Sequence, residues 1–273
     1  MSIELTVVGC SGSYEGPGEP ASCYLVTVPG KRGKPFRILI DCGNGALSNL
    51  HKVIDPSHID IILISHLHAD HFLDLAGLEV YLAYHPLVNC PTVRVFAPEG
   101  IDERLSAATG NPDPIPPGAS RAPYEFIALS EGDSIEAGRA IITAVPVEHP
   151  VPAFGFRIAV GDTVLAYTGD TDVCEGASAL ASGVDLLLCE AGYVEGRDDH
   201  FQGIHLTGKR AGILAREAGV KKLVLTHIPP WTDRKVPLEE ARAEFDGPLE
   251  LAESLRTYTL QFPARNQRGE SHD

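Results

Sequence analysis

Four side chains able to bind a metal stand within six residues of this chain, in the run His66-Leu67-His68-Ala69-Asp70-His71. The run follows an apolar, β-branched stretch, residues 59–65, and precedes a segment with helix-like spacing, so it sits where a buried strand gives way to a helix. Three imidazoles and a carboxylate gathered at one strand end repel or desolvate one another unless a cation lies among them. Histidines that solvate a loop or fill a core account for one or two such residues, not for the set.

The rest of the chain alternates strand-like and helix-like segments. Residues 3–8, 22–28, 36–40 and 59–64 have strand length and composition, residues 72–84 carry Leu73, Leu75, Leu78 and Leu82 in a helical pattern, and Val93–Ala97 returns to strand. The second half follows a similar order, with strands at 140–147, Phe154–Val160, Thr163–Tyr167, 186–189 and 222–226 and a helix at 207–218. No sequence repeat links the halves. Two sheets with helices on their outer faces, a four-layer α/β sandwich, account for this order, although the pattern alone also fits other α/β folds. Residues 110–123 include Pro112, Pro114, Pro116, Pro117 and Pro123, which excludes regular structure and implies a stiff excursion: a surface loop, a lid or a dimer contact. The expectation is one domain over residues 1–262 and a polar, frayed tail over 263–273.

Composition limits the partners. A formal charge of −15 opposes broad binding to nucleic acid, whose affinity comes largely from Lys and Arg displacing counterions, so an extended nucleic acid is not the expected partner. A local positive site can still take a small phosphate. There is no basic stretch ahead of the first apolar run and no apolar segment near the roughly 20 residues needed to span a bilayer; a cytoplasmic protein without a membrane span is expected. Cys10, Cys23, Cys42, Cys90, Cys174 and Cys189 are scattered through strand-like runs, which reads as reduced, buried thiols.

The His66–His71 run resembles the HxHxDH motif of the metallo-β-lactamase superfamily, and the resemblance extends over most of the chain. It implies an αββα sandwich with a dinuclear metal site at one edge, between the sheets. His149 after Val145-Pro146-Val147, Asp170 in Tyr167-Thr168-Gly169-Asp170-Thr171, and His227 at the end of Leu223-Val224-Leu225-Thr226-His227 stand where the family pattern wants ligands. Each is weak alone. The resemblance implies His66, His68 and His149 on one metal, Asp70, His71 and His227 on the other, and Asp170 bridging. The cofactors implied are two divalent ions, zinc favoured by the histidines and manganese compatible with mixed nitrogen and oxygen ligands. Two such ions against two carboxylates leave a charge of roughly +2, which attracts an anionic phosphodiester. Asp41 matches a family aspartate that orients a metal-binding histidine, its other reading being a helix cap. Gly9 and Gly12 resemble the family's first tight turn, and a plain turn role suffices for both.

His205-Leu206-Thr207 resembles the ribonuclease Z branch, in which a histidine before the last helix works with a glutamate to handle the leaving-group proton. The matching residues are His205 and Glu190; otherwise His205 is a helix-start residue and Glu190 a solvated strand end. Only 20 residues separate His149 from Asp170, which leaves no room for the tRNA-gripping arm that tRNA-processing members insert there. Arm-lacking proteins of this kind include cyclic-nucleotide phosphodiesterases. The function expected is therefore hydrolysis of a small cyclic nucleotide, 3′,5′-cyclic AMP-like, to the monophosphate by a two-metal-activated hydroxide, with Asp70, His205 and Glu190 as catalytic residues. Alternatives are an RNA 3′-end endonuclease and a thioester or lactam hydrolase on the same fold. Related proteins dimerise, so a homodimer is expected.

Overall fold

The computed structural model describes residues 2–86, 90–110 and 122–263. Most of the Pro-rich segment 110–123, and all of the tail expected at 263–273 except Pro263, lie outside the described residues. The strands are β1 (Ser2–Gly9), β2 (Cys23–Pro29), β3 (Pro35–Ile40), β4 (Ile61–Leu63), β5 (Val93–Ala97), β6 (Tyr124–Ala128), β7 (Ser134–Ala137), β8 (Ala140–Pro146), β9 (Phe154–Val160), β10 (Thr163–Tyr167), β11 (Leu186–Glu190), β12 (Leu223–Thr226), β13 (Leu249–Leu251) and β14 (Thr257–Gln261). The helices are α1 (Ala46–Val53), α2 (Ala69–Phe72), α3 (Leu75–Tyr84), α4 (Ile101–Thr109), α5 (Glu175–Ala181), α6 (Gly208–Glu217) and α7 (Lys235–Glu244).

Among the described residues the strands form two seven-stranded sheets, ordered β14-β1-β2-β3-β4-β5-β6 and β13-β12-β11-β10-β9-β8-β7. Each sheet combines an antiparallel ladder, β1 to β3 or β7 to β10, with a parallel run, β3 to β6 or β10 to β13. Parallel neighbours require crossovers, and the helices supply them. This is the physical content of the similar order in the two halves.

Alternate residues of the central strands serve different cores, because successive side chains point to opposite faces. Ile61 and Leu63 of β4 and Leu186 and Leu188 of β11 fill the layer between the sheets. Ile62 packs under α1 and α3, and Leu187 and Cys189 under the helices of the second sheet. Strands covered on both faces read as continuous apolar runs, which is why β4 and β11 are legible in sequence. The result is a four-layer α/β sandwich, as the order of elements predicts. Cys10, Cys23, Cys42 and Cys189 are free and buried, Cys174 is free and partly exposed, and Cys90 is buried.

Several elements differ from expectation, three of them next to residues of the predicted site. The helix expected at 72–84 is broken into α2 and α3, because the backbone amide of Asp74 bonds the Cys42 carbonyl and its carboxylate accepts from the amide of Leu47. The strand expected at 59–64 narrows to Ile61–Leu63. The helix at 207–218 begins at Gly208, with the Thr207 hydroxyl capping it by accepting from the Arg210 amide.

β3, β4, β8, β10, β11 and β12 all end at one edge of the sandwich. Their carboxyl ends lead into Asp41, His66, His149, Asp170, Glu190 and His227 respectively, the position where open α/β sheets place ligands.

Candidate metal centre

The first cluster consists of His66, His68 and His149. His68 Nδ1 lies 3.0 Å from His66 Nε2 and 3.1 Å from His149 Nε2. His149 Nδ1 donates to the Ile204 carbonyl, and His66 Nδ1 lies 3.1 Å from a Ser65 hydroxyl that itself donates to Asp41. In the neutral rings those bonds place the protons on Nδ1 and leave both Nε2 lone pairs facing His68 Nδ1. One proton on His68 can serve only one of them. A cation serves all three.

The second cluster is Asp70, His71, Asp170 and His227, all buried. His227 Nε2 is 3.1 Å from Asp70 Oδ2 and 3.2 Å from Asp170 Oδ2, and His71 Nε2 is 3.2 Å from His227 Nε2 and 3.3 Å from Asp170 Oδ2. Asp170 Oδ2 also comes within 3.7 Å of His66 Nε2, so a single carboxylate reaches both clusters. Its other oxygen, Oδ1, is buried without a hydrogen-bond partner among the described residues, a costly state for a carboxylate that serves only the fold. The donor set fits two divalent cations: imidazole alone on one side, imidazole with carboxylate on the other, and a carboxylate between.

The electrostatics of the two clusters are opposite. Burial, with neighbouring histidines, holds His66 well below the usual imidazole range, and burial likewise lowers His68 and His149. These rings are neutral at neutral pH, the form that binds metal. Burial also opposes charge on His71, but Asp170, Asp70 and Asp41 outweigh it and push the ring well up. Carboxylates that favour a proton there favour a divalent cation for the same reason.

Asp41 lies beneath the second cluster. Its Oδ2 accepts from His71 Nδ1 at 2.8 Å, which aims Nε2 at the cluster, and its Oδ1 accepts from the Ser65 amide. Asp41 and His227 both have φ of 56°, a backbone region that side chains rarely adopt and that a rigid surround must hold. Gly9 and Gly12 do more than turn the chain. A Cβ on Gly9 would stand 2.1 Å from the Ala21 carbonyl oxygen, and one on Gly12 2.3 Å from that of His227, so both positions require backbone contact rather than unusual dihedrals.

His205 and Glu190 stand against this centre. His205 Nδ1 donates to Glu190 Oε1 at 2.9 Å and lies 3.9 Å from Asp170 Oδ2. Glu190 is fully buried and also accepts from the amides of Thr171 and Gly192, so it is neither solvated nor free to turn. Burial works against charge on His205, but Glu190 and, more weakly, Asp170 push the ring up to about 9. The loop bearing His205 is tied to the turn after Asp170 by Asp172, which accepts from the Gly203 amide and from Arg210.

Tyr193 and Phe201 escaped the sequence reading. Tyr193 sets its ring edge-on against His205, centroids 4.8 Å apart, and half-exposed Phe201 packs on Tyr193 at 5.6 Å. Neither belongs to a motif, and only the folded loop brings them to His205.

Residues 36–228 match the beta-lactamase superfamily domain. An uncharacterized protein of Mycobacterium tuberculosis is 40% identical over 264 residues, covering 96% of this chain and 93% of its own. Ribonuclease BN of Escherichia coli is 29% identical, with 81% of this chain and 88% of that protein covered. The crystal structure of the metallo-beta-lactamase fold protein YhfI from Bacillus subtilis is similar with a TM-score of 0.81 at 25% identity, over 95% of this chain and all of that one. The match across most of the chain, and a fold whose sheets converge on two His/Asp clusters, make this protein a metallo-hydrolase of the beta-lactamase superfamily.

Proposed function

We propose that the protein is a phosphodiesterase that hydrolyses a small cyclic nucleotide, 3′,5′-cyclic AMP-like, to the 5′-monophosphate. The observation that carries this reading is the pair of partly buried His205 and fully buried Glu190, 2.9 Å apart, beside the carboxylate that reaches both clusters. Hydrolysis of a phosphodiester expels an alkoxide, and an imidazolium held in place can protonate it, typically a contribution of about 10²–10⁴-fold.

In this reading His66, His68 and His149 hold one divalent cation, Asp70, His71 and His227 the other, and Asp170 lies between. Two such cations, zinc or manganese, supply charge stabilisation at a phosphoryl group and activation of water. Asp70 acts through its place among the ligands. Water adds to phosphorus and gives up a proton to solvent while the bond from phosphorus to O3′ breaks; the leaving O3′ takes the proton from His205, which regains one from solvent before the next turnover. Glu190 keeps the ring oriented and charged until that transfer. Tyr193, packed against His205, and half-exposed Phe201, packed on Tyr193, offer aromatic surface for the nucleoside part of the substrate.

A small substrate is favoured by the short path between His149 and Asp170. β9 and β10 are joined there by the two-residue turn Gly161-Asp162, with no inserted arm, and the charge of −15 disfavours a long polyanion. The relationship to ribonuclease BN supports a second reading, an RNA 3′-end endonuclease. The wider proposal is a cytoplasmic homodimer with one domain over residues 1–262. No helix among the described residues is long and apolar enough to cross a membrane, and Leu73 and Val80 expose apolar surface beside and on α3 that suits a partner copy.

The test compares 3′,5′-cyclic AMP, 2′,3′-cyclic AMP and a precursor tRNA with the metal-reconstituted protein. Release of 5′-AMP from the first as the preferred reaction is expected. Cleavage of the tRNA alone moves the protein to the second reading, and inertness toward all three refutes the phosphodiesterase proposal.

A further inference from the structure

Two tyrosines cross the otherwise apolar layer between the sheets. Tyr24 on β2 and Tyr167 on β10 are among the largest fully buried side chains, and their rings lie 4.9 Å apart. Phenylalanine would fill the same space without a hydroxyl to satisfy, so the hydroxyls need a reason. Each spans the gap to the opposite sheet. Tyr24 shares a hydrogen bond of 2.7 Å with the Thr226 hydroxyl on β12, and Tyr167 donates at 2.9 Å to Asp41 Oδ2, at the end of β3.

The two bonds have different targets. Thr226 supports the sheet, whereas the oxygen that Tyr167 reaches is the one that aims His71. Asp41 Oδ2 accepts from His71 Nδ1, from the Ser65 hydroxyl and from Tyr167, and only the last of these comes from the second sheet. Tyr167 is also three residues before Asp170 on the same strand end. The short stretch from the last residue of β10 to Asp170 therefore both supplies the carboxylate common to the clusters and holds the group that orients a histidine from the other sheet. Among the described residues the first cluster has no such tie: His149 is held by the Ile204 carbonyl, and His66 meets Asp41 through Ser65.

We propose that Tyr167 is a positioning residue for the second half of the metal centre, fixing His71 relative to Asp170 through Asp41. The inference rests on the assignment of His71, Asp70 and His227 to one cation and does not depend on the substrate. Partners that orient a ligating histidine typically alter metal affinity by about 10–100-fold when lost, and Tyr167→Phe removes the hydroxyl while keeping the ring.

Zinc affinity, measured by competition with a chromophoric chelator, reads the effect without turnover. In a His68→Ala background, which disables the first half, Tyr167→Phe should weaken zinc binding by about tenfold or more. In a His227→Ala background, which disables the second, it should leave affinity unchanged. Tyr24→Phe, equally buried and also stripped of a cross-sheet bond, serves as the packing control: thermal melting should fall in both tyrosine variants, and zinc affinity only in Tyr167→Phe. Unchanged affinity in the His68→Ala background overturns the proposal. So does equal weakening in both backgrounds, or a loss in Tyr24→Phe as large as that in Tyr167→Phe. Wild-type protein that binds fewer than two zinc ions overturns the ligand assignment itself, and the proposal with it.

Discussion

The two halves of the metal centre are built differently. The first is three neutral imidazoles, two of them partly exposed, with no carboxylate apart from the shared Asp170. The second is fully buried, rich in carboxylate, and backed by Asp41 and Tyr167. Donor chemistry makes the first a neutral, accessible site and the second an anionic, rigid one. A cation in the second half answers a charge that the fold has already accumulated. A cation in the first half would answer only the convergence of lone pairs, on the more exposed side of the centre.

The sharpest way to break this contrast is to remove what the halves share. Asp170→Asn, which keeps the shape and removes the charge, should abolish activity and reduce bound metal below two equivalents, measured by elemental analysis after gel filtration. Retention of two equivalents would show that the halves are independent. Next in size is His205→Ala, expected to lower turnover by about 10²–10⁴-fold with metal content unchanged. A fall in metal content with it would make His205 a ligand of the centre rather than its neighbour.

A graded chelator series separates the halves directly. The cation held by His68 and His149 should leave first, so protein stripped to one equivalent should retain metal almost normally when it carries His149→Ala and lose it when it carries His71→Ala. The reverse order would invert the comparison. The smallest effect concerns pH. A ring whose pKa is raised keeps its proton through neutral pH and loses it as pH rises through the raised value, here about 9. Bound cations oppose that charge, so the alkaline fall in kcat should lie at or below pH 9. Glu190→Gln removes the main group that raises the ring and should move the fall to lower pH by about one unit. A fall that does not move separates His205 from the alkaline limb.

The same contrast governs what could be read from the sequence. His66, His68, Asp70 and His71 are legible because one strand end carries them all, and the physics of crowded ligands needs no fold. His149, Asp170 and His227 are each an ordinary residue at a strand end, and only the family pattern singles them out; the fold then brings them within reach of the first four. Sheets covered on both faces were visible as apolar runs. Edge strands such as β14, where buried and exposed residues mix, and β7, only four residues long, were not. The break between α2 and α3 was hidden because the Leu pattern continues through it, while the Asp74–Cys42 bond that causes it joins segments distant in sequence. Tyr167, Tyr193 and Phe201 were invisible for the same reason: an aromatic residue on a strand or loop declares no partner until the sheets are stacked.

The most direct test of this account is a cation titration of metal-depleted protein, following 3′,5′-cyclic AMP hydrolysis against equivalents bound. Activity should stay near background while the first equivalent fills the buried half, and rise in proportion to the second. Full activity at one equivalent would contradict a centre whose two unequal halves must both be occupied.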